Sequence, residues 1–140
     1  IMVDQNCAYC VEGDLVAKFG IKICELETSK VYLFKEQSHP GRCIVAHKKH
    51  VGDMNELTAE ERAAYFEDVA RVARAIMAAF NPDKVNYGAY GDTGHHLHFH
   101  LCPKYKDEYE WGGVFLMNPD KKYLTDAEYA EMIEKIKANL

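Results

Sequence analysis

The sequence is short of the features that would place it in a bilayer, on nucleic acid by charge, or among disulfide-stapled proteins. No stretch approaches the roughly 20 apolar residues that a bilayer crossing needs. Basic residues are outnumbered, 17 Lys and Arg against 22 Asp and Glu, and the net charge of −5 argues against nucleic-acid binding by a basic face. A small anionic ligand stays compatible with that balance, because a few donors in one pocket hold a phosphate locally. The opening run from Ile1 to Asn6 lacks the charged-then-apolar pattern of a signal peptide, and Ile1 ahead of Met2 reads as a trimmed or tagged start. Cysteines number five, an odd count, and only Cys7 and Cys10 lie close together. Without an export pattern this favours a reducing compartment, with the cytoplasm as the expected location, and metal or bystander roles over disulfides. Internal repeats, low-complexity tracts and linkers are lacking too, so residues 1–140 are expected to form one domain.

What is there suits a folded chain. Hydrophobic residues make up 48% and charged residues 28% of 140 positions, the profile of a soluble globular protein with enough length for one core. Leu15 to Phe19, Ile21 to Glu25 and Lys30 to Phe34 read as short strands, separated by Gly20 and by Glu27-Thr28-Ser29. Arg42 to Ala46 follows the Ser38-His39-Pro40-Gly41 turn as another. Thr58 to Phe80 is the strongest helix: Thr58 with Glu61 forms a capping box, and Asn81-Pro82 ends it. Phe66, Val69, Ala73, Ile76, Met77 and Phe80 recur at three- and four-residue spacing and predict a face packed on a sheet. Glu60, Arg62, Glu67, Asp68, Arg71 and Arg74 are expected on the solvated face. Val85 to Tyr90 and His96 to Cys102 read as two later strands. A second capping box, Thr125 with Glu128, opens a helix to about Asn139. This order points to an α+β domain with a mainly antiparallel sheet.

Four of the seven histidines fall between residues 95 and 100. In a strand, His96, His98 and His100 point one way while Leu97, Phe99 and Leu101 point the other, with His95 on the apolar side or in the preceding turn. A single strand histidine is usually a surface or satisfied core residue, but three in strict alternation call for chemistry. One use is metal binding. At a rise of about 3.3 Å per residue, however, the outer two α-carbons lie roughly 13 Å apart, so three ligands on one ion need a sharply bent strand. The other use is a row of imidazoles along an extended anionic substrate, one attacking and its neighbours steering. A neutral imidazole is a competent nucleophile near pH 7.

Cys7-Ala8-Tyr9-Cys10 is the tight half of many zinc sites, and it needs partners from elsewhere, with His47 and His50 beyond the Arg42 strand as nearby histidines. A metal-free start with His50 on the surface is the bland alternative. Cys24, Cys43 and Cys102 sit in apolar strand contexts and read as buried small hydrophobes. Lys48, Lys49 and His50 read as a solvated turn. Tyr109 to Phe115 contains the single tryptophan, Trp111, and fits a pocket wall, a dimer interface or plain core packing.

The run His96-Leu97-His98-Phe99-His100-Leu101-Cys102-Pro103-Lys104-Tyr105 resembles the signature of the histidine triad (HIT) family, and the resemblance extends from Cys7 to about Tyr105. It implies a HIT-like fold with a five-stranded sheet, one long helix and a C-terminal helix. It also implies a homodimer whose two sheets run on into one, acting on purine nucleoside phosphoramidates, dinucleoside polyphosphates or related conjugates. By this resemblance His98 is the nucleophile that carries a nucleotidyl group, and His100 donates to phosphate oxygens. A backbone carbonyl bonded to the far nitrogen of His98 would fix its tautomer. Asn86 is placed on the phosphate or ribose, Thr93 toward the leaving group, and Glu36 near a ribose-binding acid. Two positions depart from the family pattern: Arg42 stands where a fourth histidine is usual, keeping positive charge toward a phosphate, and Asp92 where glutamine is common. Members with the N-terminal cysteine pair imply a structural zinc held by Cys7, Cys10, His50 and His96.

The expected function is a nucleotide hydrolase that passes a nucleotidyl group through His98 and releases AMP or GMP, with no organic cofactor and no catalytic metal. The alternatives are a nucleotide-binding protein with little turnover, a triad that is itself a metal centre, and a transferase to a phosphate or sugar-phosphate acceptor.

Overall fold

A computed structural model describes residues 4–140; the reading of Ile1, Met2 and Val3 lies outside them. Five strands form one antiparallel sheet in the order β1 (Gly20–Glu25), β2 (Ser29–Phe34), β3 (Cys43–His47), β5 (His98–Lys104) and β4 (Lys84–Gly88). Alternation along β2 and β3 divides their side chains between two faces. Val31, Leu33, Cys43 and Val45 pack against α3 (Ala59–Phe80) and α4 (Asp126–Lys137), whose Tyr65, Val72, Ile76 and Ile136 complete the larger core. Tyr32, Phe34, Ile44 and Ala46 face the other way. They are covered by Tyr9 from the one-turn helix α1 (Ala8–Val11) and by Val16 from α2 (Asp14–Ala17).

Both capping boxes form. Thr58 Oγ1 accepts from the Glu61 N–H at 3.1 Å while Glu61 Oε1 accepts from the Thr58 N–H at 2.8 Å, and Thr125 with Glu128 repeats the arrangement at 3.2 and 2.9 Å. α3 ends where Asn81 turns left-handed (φ 49°) ahead of Pro82, which cannot continue the helix.

The structure corrects three expectations. Leu15 to Phe19 is not a strand: α2 occupies Asp14–Ala17, because a short apolar run has no period of its own and this one lays Val16 on the sheet beside Tyr9. Phe66 and Met77 are 39% and 42% exposed, so the buried stripe of α3 is centred on Tyr65, Val69, Val72 and Ile76 instead. Asp68, expected in solvent, is buried. Its Oδ2 accepts from the Thr28 N–H (2.9 Å), the Thr28 hydroxyl (2.7 Å) and the Ser29 hydroxyl (2.8 Å), stapling α3 to the β1–β2 turn. Asp68→Ala would strand three donors and is expected to cost about 2–3 kcal/mol by urea denaturation. Glu67→Ala, on the exposed side, is expected to stay within about 0.5 kcal/mol. Equal effects would refute the staple.

After β5 the chain returns across the α1 side of the sheet. Lys104 Nζ, buried, donates to the Glu110 and Gly113 carbonyls at 2.7 and 2.8 Å, and His39 Nε2 meets Glu110 Oε1 at 2.6 Å. These contacts hold residues 110–117 as a strap beside the histidine strand. Phe115 is its buried anchor, while Val114 and Leu116 point outward at 80% and 56% exposure.

Candidate active site and metal cage

The three alternating histidines do not share one open row. β5 begins at His98, so His96 lies in the approach to the strand, and all three imidazoles are buried beneath α1 and the strap. His95 stays exposed in the preceding turn.

Among the described residues His98 is held by one internal bond, its Nδ1 lying 2.7 Å from the His96 carbonyl oxygen. A carbonyl only accepts, so Nδ1 carries the proton and Nε2 keeps its lone pair. Burial lowers the pKa of His98, opposed by the backbone hydrogen bond, and the ring is neutral at physiological pH. His98 lines a cavity of about 740 Å³ together with Tyr9, Tyr90, Thr93, Phe115 and Met117. Gly88 packs against two of the cavity's walls: a β-carbon there would come within 2.6 Å of the Tyr90 ring and 2.9 Å of Phe115, so a larger residue would displace them.

His96 turns its ring elsewhere. Nε2 donates to the His47 carbonyl at 2.7 Å, which leaves the Nδ1 lone pair free, and burial pushes the pKa down to about 4. That Nδ1 lies 3.3 Å from Cys7 Sγ, 3.6 Å from Cys10 Sγ and 3.0 Å from His50 Nδ1, while Cys10 Sγ lies 3.2 Å from His50 Nδ1. The four donor atoms all fall within 4.8 Å of one another. Zinc–sulfur and zinc–nitrogen bonds of about 2.3 and 2.0–2.1 Å imply tetrahedral edges of about 3.3–3.8 Å, so two sulfurs and two imidazole nitrogens at these separations fit a four-coordinate cation. The His47 carbonyl behind His96 supplies the outer hydrogen bond that orients a ligating ring.

His100 lines a second cavity of about 240 Å³, with Phe34, Glu36, Ile44 and Met117 among its neighbours. Arg42 donates to its Nδ1 at 3.1 Å. Burial first, then the Arg42 charge and His98, push the His100 pKa down to about 2.

The remaining expected site residues are dispersed. Thr93 and Asp92 line the larger cavity. Asn86 sits opposite Cys102 on β4 and lines a separate cleft with Lys104 and Trp111. Arg42 is wholly buried and lines neither histidine cavity. Glu36 is committed to the protein: its carboxylate accepts from the Ser38 N–H and hydroxyl (3.0 and 2.6 Å) and from the Lys121 and Lys122 N–H groups (2.8 and 2.9 Å). Tyr9, Phe19, Tyr90 and Met117 also wall the larger cavity, and the sequence does not reveal them, because an apolar side chain that lines a site carries no mark that separates it from core. The Tyr109–Phe115 tail did raise a pocket wall as one option; Phe115 takes that place and Trp111 does not.

Burial raises the pKa of Glu36, but its four hydrogen bonds outweigh burial and hold it below the usual carboxylate value. A depressed folded-state pKa contributes stability above the unfolded value near 4.3, and that contribution is lost as pH falls through the folded value. Glu36→Gln is therefore expected to flatten the acid limb of the stability curve below about pH 4.3, read as denaturation midpoint against pH. An unchanged limb would dissociate Glu36 from acid sensitivity.

An antiparallel sheet with a neutral imidazole aimed into a cavity, and a neighbouring histidine turned into a sulfur–nitrogen cage, defines a protein of the histidine-triad kind. The HIT domain family model matches residues 20–107, and the chain belongs to that family. A relative from Schizosaccharomyces pombe, described as adenosine 5′-monophosphoramidase, is 28% identical over 117 residues, covering 77% of this chain and 81% of its own. A histidine triad protein from Sinorhizobium meliloti superposes with a TM-score of 0.83 at 22% identity, over 91% of this chain and 95% of that one. A zinc-bound histidine triad family protein from Mycobacterium smegmatis gives 0.69 at 22% identity, over 96% and 93%. Among the described residues no helix is long and apolar enough to cross a membrane.

Proposed function

We propose that the protein is a nucleotide hydrolase acting on purine nucleotidyl conjugates, phosphoramidates ahead of dinucleoside polyphosphates, through a covalent nucleotidyl–His98 intermediate. The observation that carries this reading is the His98 ring itself, locked by the His96 carbonyl so that its nucleophilic nitrogen is unprotonated beside a cavity large enough for a nucleotide. His98 Nε2 attacks the α-phosphorus, an N–P bond forms, and the bond to the leaving amine or phosphate breaks with its electron pair. The departing nitrogen or oxygen takes a proton from solvent as that bond breaks, and the attacking water of the second step returns one to solvent. Water next attacks phosphorus, the N–P electrons return to His98, and AMP or GMP leaves. His100, fixed as an Nε2–H donor, stabilises charge on the phosphate oxygens, and Thr93 stands on the leaving-group side. The reading assigns no direct substrate contact to Asn86, Glu36 or Arg42.

Preference for a phosphoramidate rests on charge. Among the described residues lining the larger cavity there is no lysine or arginine, while Asp4 and Asp92 are present. A polyphosphate tail would be repelled by those carboxylates, whereas a neutral or cationic amine leaving group would not. The relative named as a phosphoramidase supports the same choice.

A structural zinc in the Cys7, Cys10, His50 and His96 cage ties α1 to the histidine strand, and its closed donor set leaves it no part in the reaction. A homodimer formed through β4 is supported by that strand's edge position and by exposed Tyr87 and Met77, which border a shallow groove on α3.

The test is intact-mass spectrometry after rapid, acid-free quenching with an AMP phosphoramidate. A transient adduct of one AMP per chain is expected. AMP that binds without either adduct or release would replace this reading with the binding-protein one.

A further inference from the structure

Among the described residues Arg42 is the largest fully buried side chain, and no carboxylate is within salt-bridge distance of it. A guanidinium stripped of water and left without a counter-ion is costly and persists only if its surroundings are built for it. Here they are. Its plane lies between two rings, with Cζ 4.2 Å from the Phe34 centroid and 4.9 Å from that of Phe115. One terminal nitrogen donates to the Leu116 carbonyl at 3.0 Å. The other donates to the Met117 carbonyl at 2.8 Å and to His100 Nδ1 at 3.1 Å. Its Nε is buried and has no partner among the described residues.

We infer that Arg42 is a positioning residue for the nucleotidyl-transfer site, which holds His100 in its Nε2–H form and clamps the strap at residues 115–117 against the histidine strand. The inference rests on the proposed function for what the site does, but the arrangement itself is a matter of donors and acceptors. Guanidinium has five N–H donors and no acceptor, so any imidazole nitrogen it bonds must present a lone pair. His100 Nδ1 is then unprotonated, and the proton sits on Nε2, which has no protein partner among the described residues and is left to serve a ligand. The same Arg42 nitrogen reaches Met117, a residue that lines both cavities, and Phe115, stacked on the guanidinium, walls the larger one. One side chain therefore sets both the polarity of a donor and the position of a wall.

Lysine cannot reproduce this. It offers a compact ammonium without a planar fork, so it can satisfy His100 or the strap carbonyls, but does not stack between Phe34 and Phe115 in the same way. A small misplacement of reacting groups costs about 10²-fold in rate.

Two measurements test the inference. The first uses the unaltered protein. In nitrogen-15 histidine spectra, with His100 assigned through its contacts to Phe34 and Phe115, Nδ1 is expected to be the unprotonated nitrogen; a protonated Nδ1 overturns the inference. The second is a double-mutant cycle on single-turnover adduct formation with an AMP phosphoramidate. Arg42→Lys alone is expected to slow the step about 10²-fold, with a smaller change in KM. In a His100→Gln background the same substitution is expected to slow it further by clearly less than about 10²-fold, because the hold on His100 is already lost and only the clamp on the strap remains to be removed. Full additivity would overturn the inference. If the unaltered protein forms no adduct at all, the proposed function fails on that result alone. The spectra, together with AMP affinity measured across the same cycle, still decide the role of Arg42.

Discussion

His98→Ala is expected to abolish the AMP adduct and to lower phosphoramidate turnover by roughly 10⁴-fold or more, the scale seen when an enzyme loses its nucleophile. The size follows from what the ring supplies. Its Nδ1–H···O=C bond to His96 leaves Nε2 as a preformed lone pair, and its lowered pKa keeps that lone pair unprotonated at neutral pH. Water has neither the nucleophilicity nor the fixed position. Alanine should not unfold the protein, because His98 lies outside the larger core built on α3 and α4. Circular dichroism and AMP binding should therefore survive. Added imidazole, entering the space vacated by the ring, should return part of the turnover without a protein-bound adduct. Residual turnover within tenfold of the unaltered protein would place the chemistry on another residue.

Loss of the metal cage is the second large effect. Protein purified without chelator is expected to contain one zinc per chain, and a Cys7→Ser/Cys10→Ser variant none. A cation bound only by the folded state at a thousandfold excess over its dissociation constant adds about 4 kcal/mol. For a domain of this length that is on the order of 10 °C in melting temperature. The loss should be partial rather than complete, since the core cluster around Val31, Val45, Tyr65 and Ile76 includes none of the four ligands. Damage should concentrate at α1 and at Tyr9, whose ring lies 5.1 Å from that of His98, so the variant should also expose the nucleophile to solvent. Hydrogen exchange at residues 7–12 and on His98 would register this. Acidification should mimic the variant, because protons compete for thiolates and imidazoles. Zinc retained with both cysteines gone would exclude the cage and favour the triad as the metal centre.

Several features were legible because they are local. Thr58 with Glu61 and Thr125 with Glu128 mark helix starts by a bond pattern contained within four residues, and both helices begin there. Alternation from His98 to Leu101 separated imidazoles from apolar residues because strand geometry imposes period two, while His96 falls just ahead of the strand. The spacing of Cys7 and Cys10 pointed to a metal pair, and the HIT resemblance supplied His50 and His96; the structure brings all four together. Other features were not legible. Leu15 to Phe19 has too few residues to express a period, so its helix was decided by burial of Val16. Asp68 looks like any charged residue of an amphipathic helix until the β1–β2 turn presents three donors to it.

Arg42 divides the two kinds of information most sharply. From its residue type and place in the chain, it was a cation near a phosphate site and a departure from the family's fourth histidine. Its actual partners lie 58 positions away at His100 and 74 and 75 away at Leu116 and Met117. No local rule reports that a strap after β5 will return to cover β3. By itself the sequence determined the sheet-and-helix class, the helix caps, and the histidines available for chemistry, all set by short-range geometry. Only the tertiary structure decided which nitrogen of each histidine is free, that Glu36 is spent on the returning chain, and that Arg42 faces a ring rather than a cavity. Hydrogen-bond partners and desolvation depend on groups far apart in sequence, and folding alone brings them within hydrogen-bonding distance.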